Sequence, residues 1–352
     1  MRRLTSAIFL ATLAGLLLPP ARLAADLIWT PSGGWKIEGG VLGGLDTAEG
    51  RTALDFMNKG RAAEEAGQNR KALKDYQVVN RKYPNSVFAA EALFHTGGIY
   101  QKQHKYYKAF DAYQTLVSRY PSSEKFTQVI GEQYRIASLL FEGKRNYIFT
   151  WLPGFRNKEK AIAYFEIIVQ TAPYSDYAPL ALMNAARGYH QIHETEAAID
   201  TLDRMINTYP RNVLTPDAYL KIAQTHASLV EGAEYDQAST KDAITYFEDY
   251  MILFPGDAGM ASAEKGLADM KKVLAQSKIV MADYYLKYRK NYKAAKVFYN
   301  EAITVYPDSD QAAIARKKLL LIDAKLELND TTGKVTAPKP DVPKKKKRFW
   351  VF

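Results

Sequence analysis

Six times in 352 residues the chain sets a proline after an aromatic or small residue and places a Ser, Asn or Asp two residues beyond it. The phrases are Tyr83-Pro84-Asn85-Ser86, Tyr120-Pro121-Ser122-Ser123, Ala172-Pro173-Tyr174-Ser175, Tyr209-Pro210-Arg211-Asn212, Phe254-Pro255-Gly256-Asp257 and Tyr306-Pro307-Asp308-Ser309. Twelve residues before each proline stands an alanine: Ala72, Ala109, Ala161, Ala198, Ala243 and Ala295. Four residues after the alanine comes an aromatic (Tyr76, Tyr113, Phe165, Phe247, Tyr299) or, once, Leu202. A small residue recurs twelve places before the alanine at Gly60, Gly97 and Ala186. In-phase copies of this kind demand a stack of like units.

Each unit reads as a pair of helices. Apolar residues within "AFDAYQTLVSRY" recur at three and four, which traces one helix face. Small residues allow two helices to approach closely, so Gly60 is expected to face Ala72 across the pair. Proline just past the second helix stops it, and the residue before proline avoids helical dihedrals. The Asn, Ser or Asp that follows is expected to cap the next helix. Small, small, aromatic and proline in this order resemble the tetratricopeptide repeat. The expected fold is therefore all-α, a superhelical α-α solenoid of about six helical hairpins over residues 51–328. Spacings of 37, 52, 37, 45 and 52 between the prolines mark insertions at Phe141 to Ala161, at Val230 to Ile244 and before Ala295. The third unit also sets Tyr134 where a small residue is expected.

The ends differ from this body. Arg2 and Arg3, the apolar run Ala7 to Leu18, Pro19-Pro20 and "ARLAAD" follow the order of a secretory signal peptide, expected over residues 1–25. Residues 26–50, rich in Gly and Trp, read as a docking strand, an ordered cover for the first helix, or a flexible arm. Residues 329–352 mix proline and lysine and cannot build a core. They end in Lys344, Lys345, Lys346, Lys347, Arg348, Phe349, Trp350, Val351 and Phe352. Basic clusters favour anionic bilayers and aromatic rings favour their interface, so this end is a candidate tether to a membrane or a partner. Of the formal charge of +10, the leader holds three and the tail a net five, leaving +2 on the body. No broad basic footprint for nucleic acid results. There is no cysteine to form a disulfide or to carry a lipid.

The later repeats are more specific. "EYDQASTKDAITYFEDYMILFPGD" and the run through Ala282-Asp283-Tyr284-Tyr285, Ala294-Ala295 and Tyr306-Pro307-Asp308-Ser309 resemble the BamD family over Asp217 to Ala315. The resemblance implies a non-enzymatic periplasmic scaffold at the inner face of the outer membrane. Its implied partners are a BamA-like barrel-inserting protein and unfolded outer-membrane proteins. An envelope or cell-wall adaptor of the same repeat type is the alternative. The family is typically lipidated and usually has five units, where six stand here.

No catalytic constellation emerges, and no cofactor or metal is expected. "EGGVLGG" lacks the lysine of a phosphate-binding loop. His95, His104, His190, His193 and His226 are scattered. His190 and His193, three apart on one helical face, have metal-ligand spacing but read as a surface pair. The candidate site is the concave wall built by the first helix of each pair. Side chains one turn from the small residues select Met57, Arg61, Phe94, Gln101, Arg135, Met183, Arg187 and His190. Adaptable methionine and aromatic contacts beside arginine forks suit an extended peptide ending in a carboxylate. Tyr100 and Tyr189 are expected in the core.

Overall fold

The computed structural model describes residues 26–30, 34–38, 48–149 and 151–331. The expected leader and the basic–aromatic end from Lys344 to Trp350 lie outside the described residues. Among the described residues helices dominate, with one two-stranded addition, and the chain divides into two compact units between Gly188 and Tyr189.

The first unit opens with antiparallel strands β1 (Asp26–Thr30) and β2 (Gly34–Glu38), which pair Leu27 with Ile37 and Trp29 with Trp35. Strand β2 lies against α1 (Ala48–Glu65), so this segment is a strand pair laid on the first helix. There follow α2 (Asn69–Lys82), α3 (Ala89–Lys102), α4 (Tyr106–Arg119), α5 (Phe126–Phe141), α6 (Lys158–Thr171) and α7 (Tyr177–Gln191), which crosses the division. From α1 to α6 each helix packs on the next. The second unit holds α8 (Thr195–Thr208), α9 (Thr215–Ser228), α10 (Ala238–Leu253), α11 (Met260–Lys287), α12 (Tyr292–Val305) and α13 (Asp310–Thr331). Here too each helix packs on its successor, and α13 also reaches α11. The anticipated lengthening before Ala295 is the 28-residue α11.

All six repeat alanines and the six residues four places beyond them are buried, which is why the pattern is written so regularly. The partner of the small position is corrected. A Cβ on Gly60 would come within 2.6 Å of the Tyr76 ring, so the close approach is to the aromatic rather than to Ala72. Gly97 stands in the same relation to Tyr113, and Gly266 to Phe247. Tyr134 replaces the small residue with a ring, packed on Phe165 at 5.7 Å between centroids and 54° between planes.

The joints share one geometry. The residue before each proline leaves the helical region, with φ between −125° and −148°. At Ser86, Ser123, Ser175, Asn212, Asp257 and Ser309 the amide donates to the carbonyl of the residue before the proline, closing a β-turn. The expected cap is corrected at four joints. Ser86, Ser123, Asn212 and Asp257 accept from the amide two residues on, within the turn rather than inside the helix. Ser309 does reach a helix amide, that of Ala312 at 3.1 Å.

Inside the pairs, the turn residue seventeen before the proline is left-handed in four repeats: Gly67 (φ 70°), His104 (57°), His193 (66°) and Lys290 (53°). Since α7 ends at Gln191, His193 sits in that turn and does not share a helical face with His190.

Candidate functional site

The densest polar cluster on the first helices of the pairs lies in the first unit, where α1, α3 and α5 each contribute. Glu64 is its hub. Its carboxylate accepts from the Tyr76 hydroxyl at 3.0 Å, stands 3.0 Å from His95 Nδ1 and 3.7 Å from Arg61 Nη1, and lies 3.5 Å from Lys102 Nζ. On its other side the His95 ring faces Glu91 at 3.4 Å, and Lys125 reaches the same carboxylate at 3.9 Å. Burial alone would raise the Glu64 pKa. The hydrogen bonds from His95 and Tyr76 and the charges of His95 and Arg61 outweigh it and hold the carboxyl down to about 2. For His95 burial pushes the pKa down, yet hydrogen bonds to Glu64 and Glu91 win and the imidazole is raised.

Ring contacts carry the cluster onward. His95 stacks on Tyr76 with centroids 5.4 Å apart and meets Phe94 edge-on at 5.8 Å; Phe94 in turn lies 6.2 Å from Tyr113. Lys125 sits over the Phe94 ring at 5.2 Å. The Tyr113 hydroxyl donates to Gln101 at 3.1 Å, Gln101 donates to Glu132 at 2.8 Å, and Arg135 closes on Glu132 at 2.9 and 2.6 Å. Arg61, Phe94, Gln101 and Arg135 are thus brought into one ladder of rings and charges.

The other expected positions fall elsewhere. Met57 is fully buried in the core with Ala53, Tyr76 and Ile99 and lines no surface. Met183 is half-buried, and Arg187 is exposed with its guanidinium 4.7 Å from the Phe141 ring. His190 is exposed and lies beyond the division between the units. Tyr100 and Tyr189 are half-buried rather than core. Two of the expected arginine forks are engaged within the chain. Arg61 already faces Glu64 and Glu65, and Arg135 already grips Glu132.

Glu64, Glu91, His95 and Glu132 were not picked out from the sequence. A signal for Glu64 exists: Glu64 and Gln101 each stand twenty residues before their proline and twelve before the tyrosine whose hydroxyl they accept. The arrangement holds no nucleophile paired with a base. It offers guanidinium, carboxylate and amide edges beside aromatic faces, which suits backbone and side-chain contacts of an extended polypeptide. Among the described residues no group of three or more His, Asp or Glu is placed to hold a metal ion.

The second unit carries a smaller polar knot. Asp283 on α11 accepts from Lys318 on α13 at 2.5 and 2.7 Å and from the Tyr299 hydroxyl on α12. Burial would raise its pKa, but Lys318 and Tyr299 hold it below the ordinary carboxylate range. One side chain therefore ties three helices together.

Comparison with known proteins adds to this geometry. A family model described as YfiO, outer membrane lipoprotein, matches residues 156–336, just over half of the chain. That is wider than the stretch Asp217 to Ala315 on which the resemblance rested. A tetratricopeptide-repeat model matches residues 56–86 and 91–123. Outer membrane protein assembly factor BamD of Rickettsia prowazekii (strain Madrid E) is 26% identical over 179 residues, covering 51% of this chain and 71% of that protein. Solved structures resemble it more distantly. A tetratricopeptide repeat protein from Parabacteroides merdae ATCC 43184 is 14% identical, with 78% of this chain and 99% of that one covered and a TM-score of 0.31. MamA from Desulfovibrio magneticus RS-1 is 14% identical, with 60% and 99% covered and a TM-score of 0.30.

Proposed function

The chain belongs to the YfiO family of outer membrane lipoproteins, and from that membership we propose a scaffold that assists insertion of β-barrel proteins into the outer membrane. It works from the periplasm, at the inner face of that membrane, by binding other polypeptides. Its partners are a BamA-like barrel-inserting protein and unfolded outer-membrane proteins. The single observation that carries the reading is the family match over residues 156–336, which falls on the repeats that hold the Asp283 knot. The matched repeats are interaction modules, and no reaction is assigned to them.

We propose a division of labour along the chain. The ladder of α1, α3 and α5 presents mixed charge and aromatic edges to an extended client chain. The α9–α13 repeats, which lie within the family match, hold the barrel-inserting partner. The basic and aromatic end, Lys344 to Phe352, acts as a reversible tether to an anionic bilayer.

Co-purification from detergent-solubilised envelopes tests the proposal. Recovery of the barrel-inserting machinery with the tagged chain is expected. Recovery of wall-associated proteins in its place would instead make the chain a cell-wall adaptor.

A further inference from the structure

The insertion between α5 and α6 is not a slack loop. Its base is pinned to the α3–α4 turn: Asn146 Oδ1 accepts from the Tyr107 amide at 3.1 Å, and the Tyr147 amide donates to the His104 carbonyl at 2.9 Å. Tyr147 and Pro153 form an antiparallel bridge, and the Gly154 amide donates to the Asn146 carbonyl at 2.8 Å. At the tip the Ile148 amide donates to the Leu152 carbonyl at 3.0 Å, and the Leu152 amide to that of Phe149 at 3.3 Å. The result is a short finger with much of its backbone bonding closed on itself.

The finger presents apolar side chains to solvent. Phe155 is 93% exposed, Trp151 78%, Phe149 58% and Ile148 55%, and the Phe149 and Trp151 rings stack with centroids 6.4 Å apart. A contiguous apolar surface held out by an ordered backbone marks an interaction site. From Gly143 to Lys158 the sequence has no acidic residue, while exposed Lys144, Arg145 and Arg156 flank the apolar tip. Beside Phe149 lies an open concavity of about 570 Å³ whose lining includes Arg70, Lys71 and Lys105.

We propose that this finger is an interfacial membrane anchor, its aromatic tip entering the acyl boundary of an anionic bilayer while the surrounding cations meet lipid phosphates. Three observations favour lipid over a protein groove. The tip carries no ionic side chain for specific readout. The closed backbone lowers the number of amides that would be stranded in an apolar phase. Tryptophan and phenylalanine with a basic collar match the interface and the headgroup charge. A single small anchor of this size holds a protein only weakly, so the finger fits a chain that has a second basic–aromatic element at residues 344–352. The inference does not rest on the proposed partners.

The absence of cysteine makes the test clean. Leu152→Cys in the full chain takes a polarity-sensitive dye at one position. Phosphatidylcholine vesicles containing phosphatidylglycerol should shift its emission to the blue, and spin-labelled lipids in them should quench it. Pure phosphatidylcholine should do so far less. In the unlabelled full chain, combined Phe149→Ser, Trp151→Ser and Phe155→Ser should lower the vesicle partition coefficient by roughly ten-fold or more, with the helical circular dichroism unchanged. Lys144→Glu with Arg145→Glu and Arg156→Glu should weaken the preference for anionic vesicles, the remainder coming from residues 344–352. An unshifted dye, or a serine variant that partitions as well as the parent, overturns the proposal. A shift with solubilised envelope proteins but not with vesicles also overturns it, and makes the finger a protein-docking element. Loss of vesicle binding with partner recovery intact separates its outcome from that of the proposed function.

Discussion

A methyl group on Gly97 has nowhere to go, because the Tyr113 ring already fills the space a Cβ would take. That ring is buried and tied to Gln101, so it cannot swing aside. Gly97→Ala is expected to cost about 1–3 kcal/mol, read as a lower midpoint in urea unfolding. A smaller loss would mean that α3 and α4 are free to separate. Glu64 governs the pH response of the same region. Its carboxyl sits near 2 in the folded chain against an ordinary 4.5. Its stabilisation is therefore complete above the ordinary value and disappears as the pH falls toward about 2, a loss on the order of 2–3 kcal/mol. His95 runs the other way. Raised above its ordinary 6.5, it stabilises below that value and stops doing so as the pH rises through its folded value. Glu64→Gln should destabilise the chain at neutral pH and flatten the acid limb of its stability profile. Parallel acid limbs for parent and variant would contradict the assignment.

The hairpin turns show what an element requires that composition hides. Gly67, His104, His193 and Lys290 occupy one left-handed position, and only the first is a glycine. A side chain there costs roughly 1–2 kcal/mol, so Lys290→Gly should raise stability by up to about 1 kcal/mol once the entropy of the glycine is counted. An unchanged unfolding midpoint would show that the turn relaxes in solution. The helices themselves were legible because alanine, aromatic and proline serve burial and chain reversal at fixed offsets. The turn was not, because histidine and lysine in a left-handed turn leave no compositional mark. Facing partners were only partly legible: the spacing located Gly60, whereas the ring it meets belongs to Tyr76, one turn beyond Ala72. Of the candidate wall, Arg61, Phe94, Gln101 and Arg135 lie together, whereas Met57 is buried, because counting along a helix does not fix which way a side chain faces. The polar hub escaped because Glu64 and Tyr76 meet across two helices. The insertion at 141–161 announced itself as an interruption, but its pinned finger depends on bonds to His104 and Tyr107 that no local pattern encodes.

At the scale of the molecule, formal charge and family membership act together. With +2 on the repeat body and five net charges on residues 329–352, the formal charge is concentrated near one end rather than spread along the chain. Removing Lys344–Phe352 should therefore reduce flotation with anionic liposomes and make what remains less sensitive to salt; equal flotation of both forms would end the tether. We propose that the first-unit ladder of this chain grips client polypeptides. Site-specific photo-crosslinking in intact cells tests it most directly, with the crosslinker placed at Arg135 on the ladder and at the fully exposed Tyr174 as a control. Adducts with unfolded outer-membrane barrel proteins are expected at Arg135 and none at Tyr174. Adducts confined to wall-associated proteins, or equal at both positions, would contradict it.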